Sequence, residues 1–159
     1  MIQNLVTILA FLAALGSGLV AGIFFAFSSF VMAALGRLPA PQGIAAMQSI
    51  NVTVMNPWFG AAFFGTAALC LALAVLALLR WQAPESPWLL AGAALYLLGV
   101  ILVTLRCNVP LNETLAPMQP DSAEATAFWQ RYLANWTAWN HVRSAAPLAA
   151  TAAFLLALR

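Results

Sequence analysis

Two tryptophans, an asparagine, a histidine and an arginine fall within eight residues, Trp136-Thr137-Ala138-Trp139-Asn140-His141-Val142-Arg143. His141 is the sole histidine of the chain, and imidazole is the side chain best suited to accept and return a proton near neutral pH. The guanidinium of Arg143 and the amides of Asn108, Asn112 and Asn140 are hydrogen-bond donors that can hold a developing oxyanion. The indoles can wall a flat substrate and exclude water. On a helix, positions 136, 139, 140 and 143 share one stripe within about 100° of the surface, whereas His141 points about 100° away from Asn140, beside Thr137 and Ser144.

Polar residues collect in two further places. One is Arg106-Cys107-Asn108-Val109-Pro110-Leu111-Asn112-Glu113, where Pro110 breaks the backbone ladder between two asparagines. The other is the first loop, Met47-Gln48-Ser49-Ile50-Asn51 through Asn56-Pro57-Trp58. The expected catalytic set is His141, Arg143, Asn108, Asn112 and Asn140, with Trp136, Trp139, Phe27, Gln48 and Asn51 as substrate contacts. Each has a structural alternative. His141 can bond across helices, Arg143 can pair with Glu113 or extend to the headgroups, and Phe24, Phe25, Phe27 and Phe30 can be core. One histidine and few carboxylates do not make up the usual three or four ligands of a metal, so no metal is expected. A haem held by His141 alone is the remaining cofactor alternative. Cys70 and Cys107 lack a redox-type spacing.

The elements that must position these residues follow from composition. Hydrophobic residues make up 64% of the 159-residue chain and charged residues 6%, against about 25% charged in soluble domains; mean hydropathy is +0.93. So few charges cannot clothe a water-soluble globule, and six arginines without a basic cluster exclude nucleic acid as a partner. The expected solvent is a lipid bilayer. Apolar runs predict spans at about 5–35, 58–79 and 88–105. After Arg143 only 15 uncharged residues precede Arg159, roughly 22 Å of helix at 1.5 Å each, short of a ~30 Å hydrocarbon core. The last helix must therefore start earlier, and Asp121-x-x-Glu124 resembles a capping box that would start it, giving a fourth helix over about 122–158 with only its later part in the membrane.

The expectation is an all-α, single-domain transmembrane four-helix bundle, its first and fourth helices longer than the membrane is thick. All three polar clusters then lie at one end. Ala10, Ala14, Gly18, Gly22 and Ala26 recur every fourth residue, a stripe that suits close helix packing within the chain or in a homo-oligomer. Arginine placement leans toward a cytoplasmic polar end, and the alanine-rich, lysine-free spans point to a bacterial plasma membrane.

Asn108-Val-Pro-Leu-Asn112, followed by Trp136-Thr-x-Trp139-Asn140-His141-x-Arg143, resembles the anthrone oxygenase-like family of small four-span membrane proteins. Gly18-Leu-Val-Ala-Gly22-Ile-Phe-Phe-Ala-Phe27 and the segment from Met47 to Pro57 are also similar to it. The resemblance implies oxidation of an anthrone-type or other hydrophobic phenolic aromatic by molecular oxygen, without a cofactor, at Asn108, Asn112, Trp136, Asn140, His141 and Arg143. The alternative from another class is a non-enzymatic membrane binder of a quinone, lipid, haem or other hydrophobic ligand, or a structural helper subunit. A cavity holding His141 and Arg143 together would separate the two.

Overall fold

The computed structural model describes residues 2–159 and is helical throughout. Five helices follow in order: α1 Ile2–Arg37, α2 Ala40–Thr53, α3 Pro57–Leu79, α4 Ser86–Leu115 and α5 Ala123–Ala157. Each of α1, α3 and α4 is long and apolar enough to cross a membrane, and only 28–39% of their most apolar windows is buried within the chain. Leu15, Leu19, Leu78 and Leu148 face outward, as lipid-facing side chains do. The protein is thus of membrane type. Helix α5 does not meet the same measure of apolarity, because its first half carries Glu124, Arg131 and the polar cluster around Asn140.

Helices α1 and α4 each pack against both α3 and α5. Glycines set the closest approaches: a Cβ on Gly16 would run into Thr66, and one on Gly99 into Ala146. One core lies between these four helices around Val20, Leu73, Tyr96 and Phe154. A second, around Ile44, Met47, Leu115, Trp129 and Tyr132, forms where α2 lies across the ends of α1, α4 and α5. Ala10 and Ala14 of the small-residue stripe are buried inside the chain and Gly18 faces Thr151, whereas Gly22 meets nothing within 4 Å.

Three sequence expectations change. The segment expected as the first loop is mostly helix α2, started at Pro39 and Pro41 where proline's missing N–H is harmless, and held by buried Gly43, Ile44 and Met47. The third span does not close at Leu105 but runs on to Leu115. Proline at 110 cannot donate to the ladder, and the backbone just before it widens into a π-helical turn, Thr104–Asn108, that carries the helix past the defect. A second such stretch occupies Leu97–Leu102, and a third widens α1 at Phe27–Val31. Finally, α5 is capped by Ser122, whose hydroxyl accepts the Ala125 N–H at 3.1 Å, not by Asp121; the helix then runs through Pro147 without interruption.

The two ends differ. At one, Arg80 bonds Gln3 at 2.6 Å and pairs with Glu85 at 3.2 Å across the tight turn after α3. At the other, the two cores do not close on each other, and a cavity remains between them.

Candidate functional site

The wide turns of α1 and α4 flank a partly enclosed cavity of about 240 Å³, somewhat below the roughly 300–1,000 Å³ usual for ligand pockets. All five helices line it. Its walls are apolar and aromatic, with Phe24 and Phe27 from α1, Phe59 and Phe63 from α3 and Trp136 from α5. The polar groups on its lining are Asn51, Thr104, Asn112 and Arg143. π-Helical turns recur at functional sites because they displace side chains from the regular register. Phe27 and Thr104 both belong to such turns.

Arg143 is 4% exposed. Its Nη2 donates to Asn140 Oδ1 at 2.8 Å and its Nη1 approaches Thr104 Oγ1 at 3.4 Å. Phe24 and Trp136 lie 4.4 and 4.7 Å from the guanidinium carbon, so the cation is held by ring faces and neutral oxygens. Its Nε–H has no partner. Among the described residues the one ion pair is Arg80–Glu85; Glu113, expected as a partner for Arg143, is exposed on α4. An unpaired charge in a membrane protein is costly, and this one is kept at a cavity.

Asn112 and Asn140 are fixed by their neighbours. Asn112 Oδ1 accepts the Tyr132 hydroxyl at 2.8 Å and the Trp136 indole N–H at 2.9 Å. Asn140 donates through Nδ2 to the Phe24 carbonyl at 2.7 Å and to Ser28 at 2.8 Å, which ties α5 to α1 at the start of its wide turn. Asn108 is fully buried and donates to the Trp136 carbonyl at 3.1 Å.

The structure thus brings Phe27, Asn51, Asn112, Trp136 and Arg143 to the cavity, with Asn140 directly behind Arg143. Four expected residues lie elsewhere. His141 is exposed and borders a shallow groove between α1 and α5 that also holds Arg37 and Gln130; the 100° that separates it from Asn140 turns it away from the cavity. Trp139 is 44% exposed, on the flank of the buried stripe. Gln48 donates to the carbonyls of Leu115 and Met118, both at 2.9 Å, and so caps the end of α4. Asn108 clamps α4 to α5 and does not line the cavity. Sequence reasoning missed Tyr132 and Thr104. Tyr132 lies one turn before Trp136 on the same buried stripe and could have been found by extending that stripe. Thr104 had no such signal, since it depends on the wide turn.

Among the described residues, no three His, Cys, Asp or Glu side chains gather in one place. No curated protein and no solved structure matches the chain. A model of the anthrone oxygenase family matches residues 55–153, a stretch that includes Phe59, Thr104, Asn112, Trp136, Asn140 and Arg143, and the chain belongs to that family.

Proposed function

We propose that α5 is the fourth crossing of a four-span membrane bundle in a bacterial plasma membrane, and that the cavity binds a flat, phenolic, anthrone-type aromatic and oxidises it with molecular oxygen. The observation that carries this reading is the buried Arg143 guanidinium, unmatched by a carboxylate, at one wall of an aromatic cavity. Family membership supports the chemistry. A ~30 Å hydrocarbon core takes about 20 helical residues. Counted from the end marked by Gln3, Leu79 and Ser86, it ends close to Ile23, Phe59 and Arg106. The cavity therefore straddles the membrane boundary. A lipid-dissolved ring system can enter from the apolar side while water reaches the polar side.

An anthrone's methylene is acidic because loss of one proton leaves an aromatic phenolate. Arg143 holds the anionic oxygen and so favours the ionised form in the cavity, the proton having passed to water. The carbanionic carbon then forms a C–O bond to O2, and the peroxide takes up a proton. Loss of water, with C–H and O–O cleavage, leaves the second carbonyl. The sum is one anthrone and one O2 to one anthraquinone and one water: the methylene carbon gives up four electrons, and the balance needs no cofactor. Aromatic walls keep the ring planar and partly dry. The test is anthrone-dependent oxygen uptake by the purified protein in micelles, with one quinone formed per O2. Arg143→Gln should lower the rate about 10²-fold, the usual cost of removing an oxyanion donor. An unchanged rate would overturn the assignment.

A second reading, a binder without catalysis, is favoured by one observation: no histidine or carboxylate lines the cavity to take a proton. It expects saturable binding of the aromatic with no oxygen uptake beyond that of empty micelles.

A further inference from the structure

The polar groups of the cavity have a sense as well as a position. Trp136 Nε1 can only donate, so the oxygen of the Asn112 amide must be the atom that faces it, as the 2.9 Å contact has it. Tyr132 occupies the same oxygen at 2.8 Å. With both acceptor directions of Oδ1 filled, Asn112 has only its N–H groups left for the cavity. Arg143 has no acceptor at all, and its Nε–H is unpartnered and buried. Thr104 already receives Arg143 Nη1 on its oxygen. Asn51 and the remaining capacity of the Thr104 hydroxyl can present either sense.

Nothing negative competes for these donors. Glu113, Asp121 and Glu124 are exposed, and Glu85 lies in the turn at the far end, paired with Arg80. Taken helix by helix, Arg143 meets Phe24 of α1, Thr104 of α4 and Trp136 and Asn140 of α5, shares the cavity with Met47 and Asn51 of α2 and Phe59 and Phe63 of α3, and has Cys107 of α4 and Tyr132 of α5 as its titratable neighbours. Neither Cys107 nor Tyr132 is a carboxylate.

We propose that the cavity selects its ligand as a planar oxyanion that has already lost its proton, with the charged oxygen on Arg143 and a second acceptor oxygen on the Asn112 amide. This rests on the reading of the cavity as a site for phenolic aromatics and adds which protonation state it takes. A neutral phenol would point its hydroxyl proton at Arg143 and the Asn112 N–H groups, neither of which can accept it. A neutral quinone lacks the charge that Arg143 requires and is released.

The probes are a monohydroxyanthraquinone whose phenol titrates near neutral pH, and its methyl ether, which cannot ionise. Neither has an oxidisable methylene, so binding is read without turnover, from quenching of tryptophan fluorescence in micelles. The hydroxy compound should bind about tenfold more tightly for each pH unit up to the pKa of its own phenol and level off above it, because only the anion counts. The ether should bind weakly at every pH and serves as the control for titration of Tyr132, Cys107 or His141. Arg143→Gln, checked for retained helicity by circular dichroism, should abolish the slope. Equal binding of phenol and ether, or a flat pH profile for both, overturns the proposal. Anion-selective binding without oxygen uptake from an anthrone would sustain it while removing the oxygenase reading, so the two fail separately.

Discussion

Arg143 Nη2 and Asn140 Oδ1 lie 2.8 Å apart, and the other half of the Asn140 amide bonds the Phe24 carbonyl at 2.7 Å. Phe24 in turn lays its ring against the same guanidinium at 4.4 Å. One amide therefore fixes the cation and the aromatic face on which it rests, and it joins α5 to α1 at the level of the cavity. The placement of Arg143 is a property of two helices held in register.

Asn140→Ala should accordingly act on stability as well as on rate. It takes one donor from the Phe24 carbonyl and the acceptor from one buried guanidinium N–H, at a cost of about 1–3 kcal/mol. A lower midpoint in an SDS titration, together with loss of anthrone oxidation, is the expected pair of results. Lost activity at unchanged stability would mean that Asn140 does not tie the helices.

His141→Ala should leave anthrone-dependent oxygen uptake within about twofold of wild type, because the imidazole is exposed outside the cavity and surface substitutions away from a site have small effects. A tenfold loss would return the proton-transfer role to His141 and require a conformation in which α5 is turned.

Asn112→Asp keeps the oxygen that accepts Tyr132 and Trp136 but replaces the cavity-facing N–H groups with a second oxygen. The fold should survive. Binding of the hydroxyanthraquinone anion should fall at least tenfold, since like charges now meet where a donor stood. Unchanged binding would show that the amide nitrogen does not meet the ligand.

Gly99→Ala places a methyl against Ala146 and should destabilise the protein by about 1–3 kcal/mol through overpacking. Adding Ala146→Gly should recover part of that loss, because the second change reopens the space. The check is a double-mutant cycle on SDS unfolding midpoints, and strict additivity would contradict a direct contact.

Gln48→Ala removes the amide that caps the carbonyls of Leu115 and Met118. The turn at 116–118 should then exchange its amide hydrogens faster, with about 1 kcal/mol lost in local stability. Peptide-level hydrogen exchange reads this directly.

The long apolar helices could be read from sequence because lipid demands an unbroken run of apolar residues, and α1, α3 and α4 comply. The polar end could be read for the complementary reason: in such a chain Asn51, Asn112, Trp136 and Arg143 stand out, and all four reach the cavity. Helix α2 could not be, since only Gly43, Ile44 and Met47 give it a buried side, too short a period to recognise among polar neighbours. The end of α4 was hidden by Arg106 and Pro110, which look like a stop; only the backbone shows that a wide turn absorbs the proline. His141 drew attention by its chemistry, but its angle on α5 decided its place.

Each wide turn holds one residue more than a regular helix would place in the same rise, and at 3.6 residues per turn that residue is worth about 100° of rotation. Removal of a single residue between Phe27 and Val31 would let α1 run through as a regular helix, because the extra residue is absorbed within the wide turn and the flanks keep their register. Met32 and Leu35 would still face the second core, whereas Phe27 would lose the displaced position from which it lines the cavity. The extra residue thus shapes the cavity wall and leaves the packing of the helix beyond it unchanged.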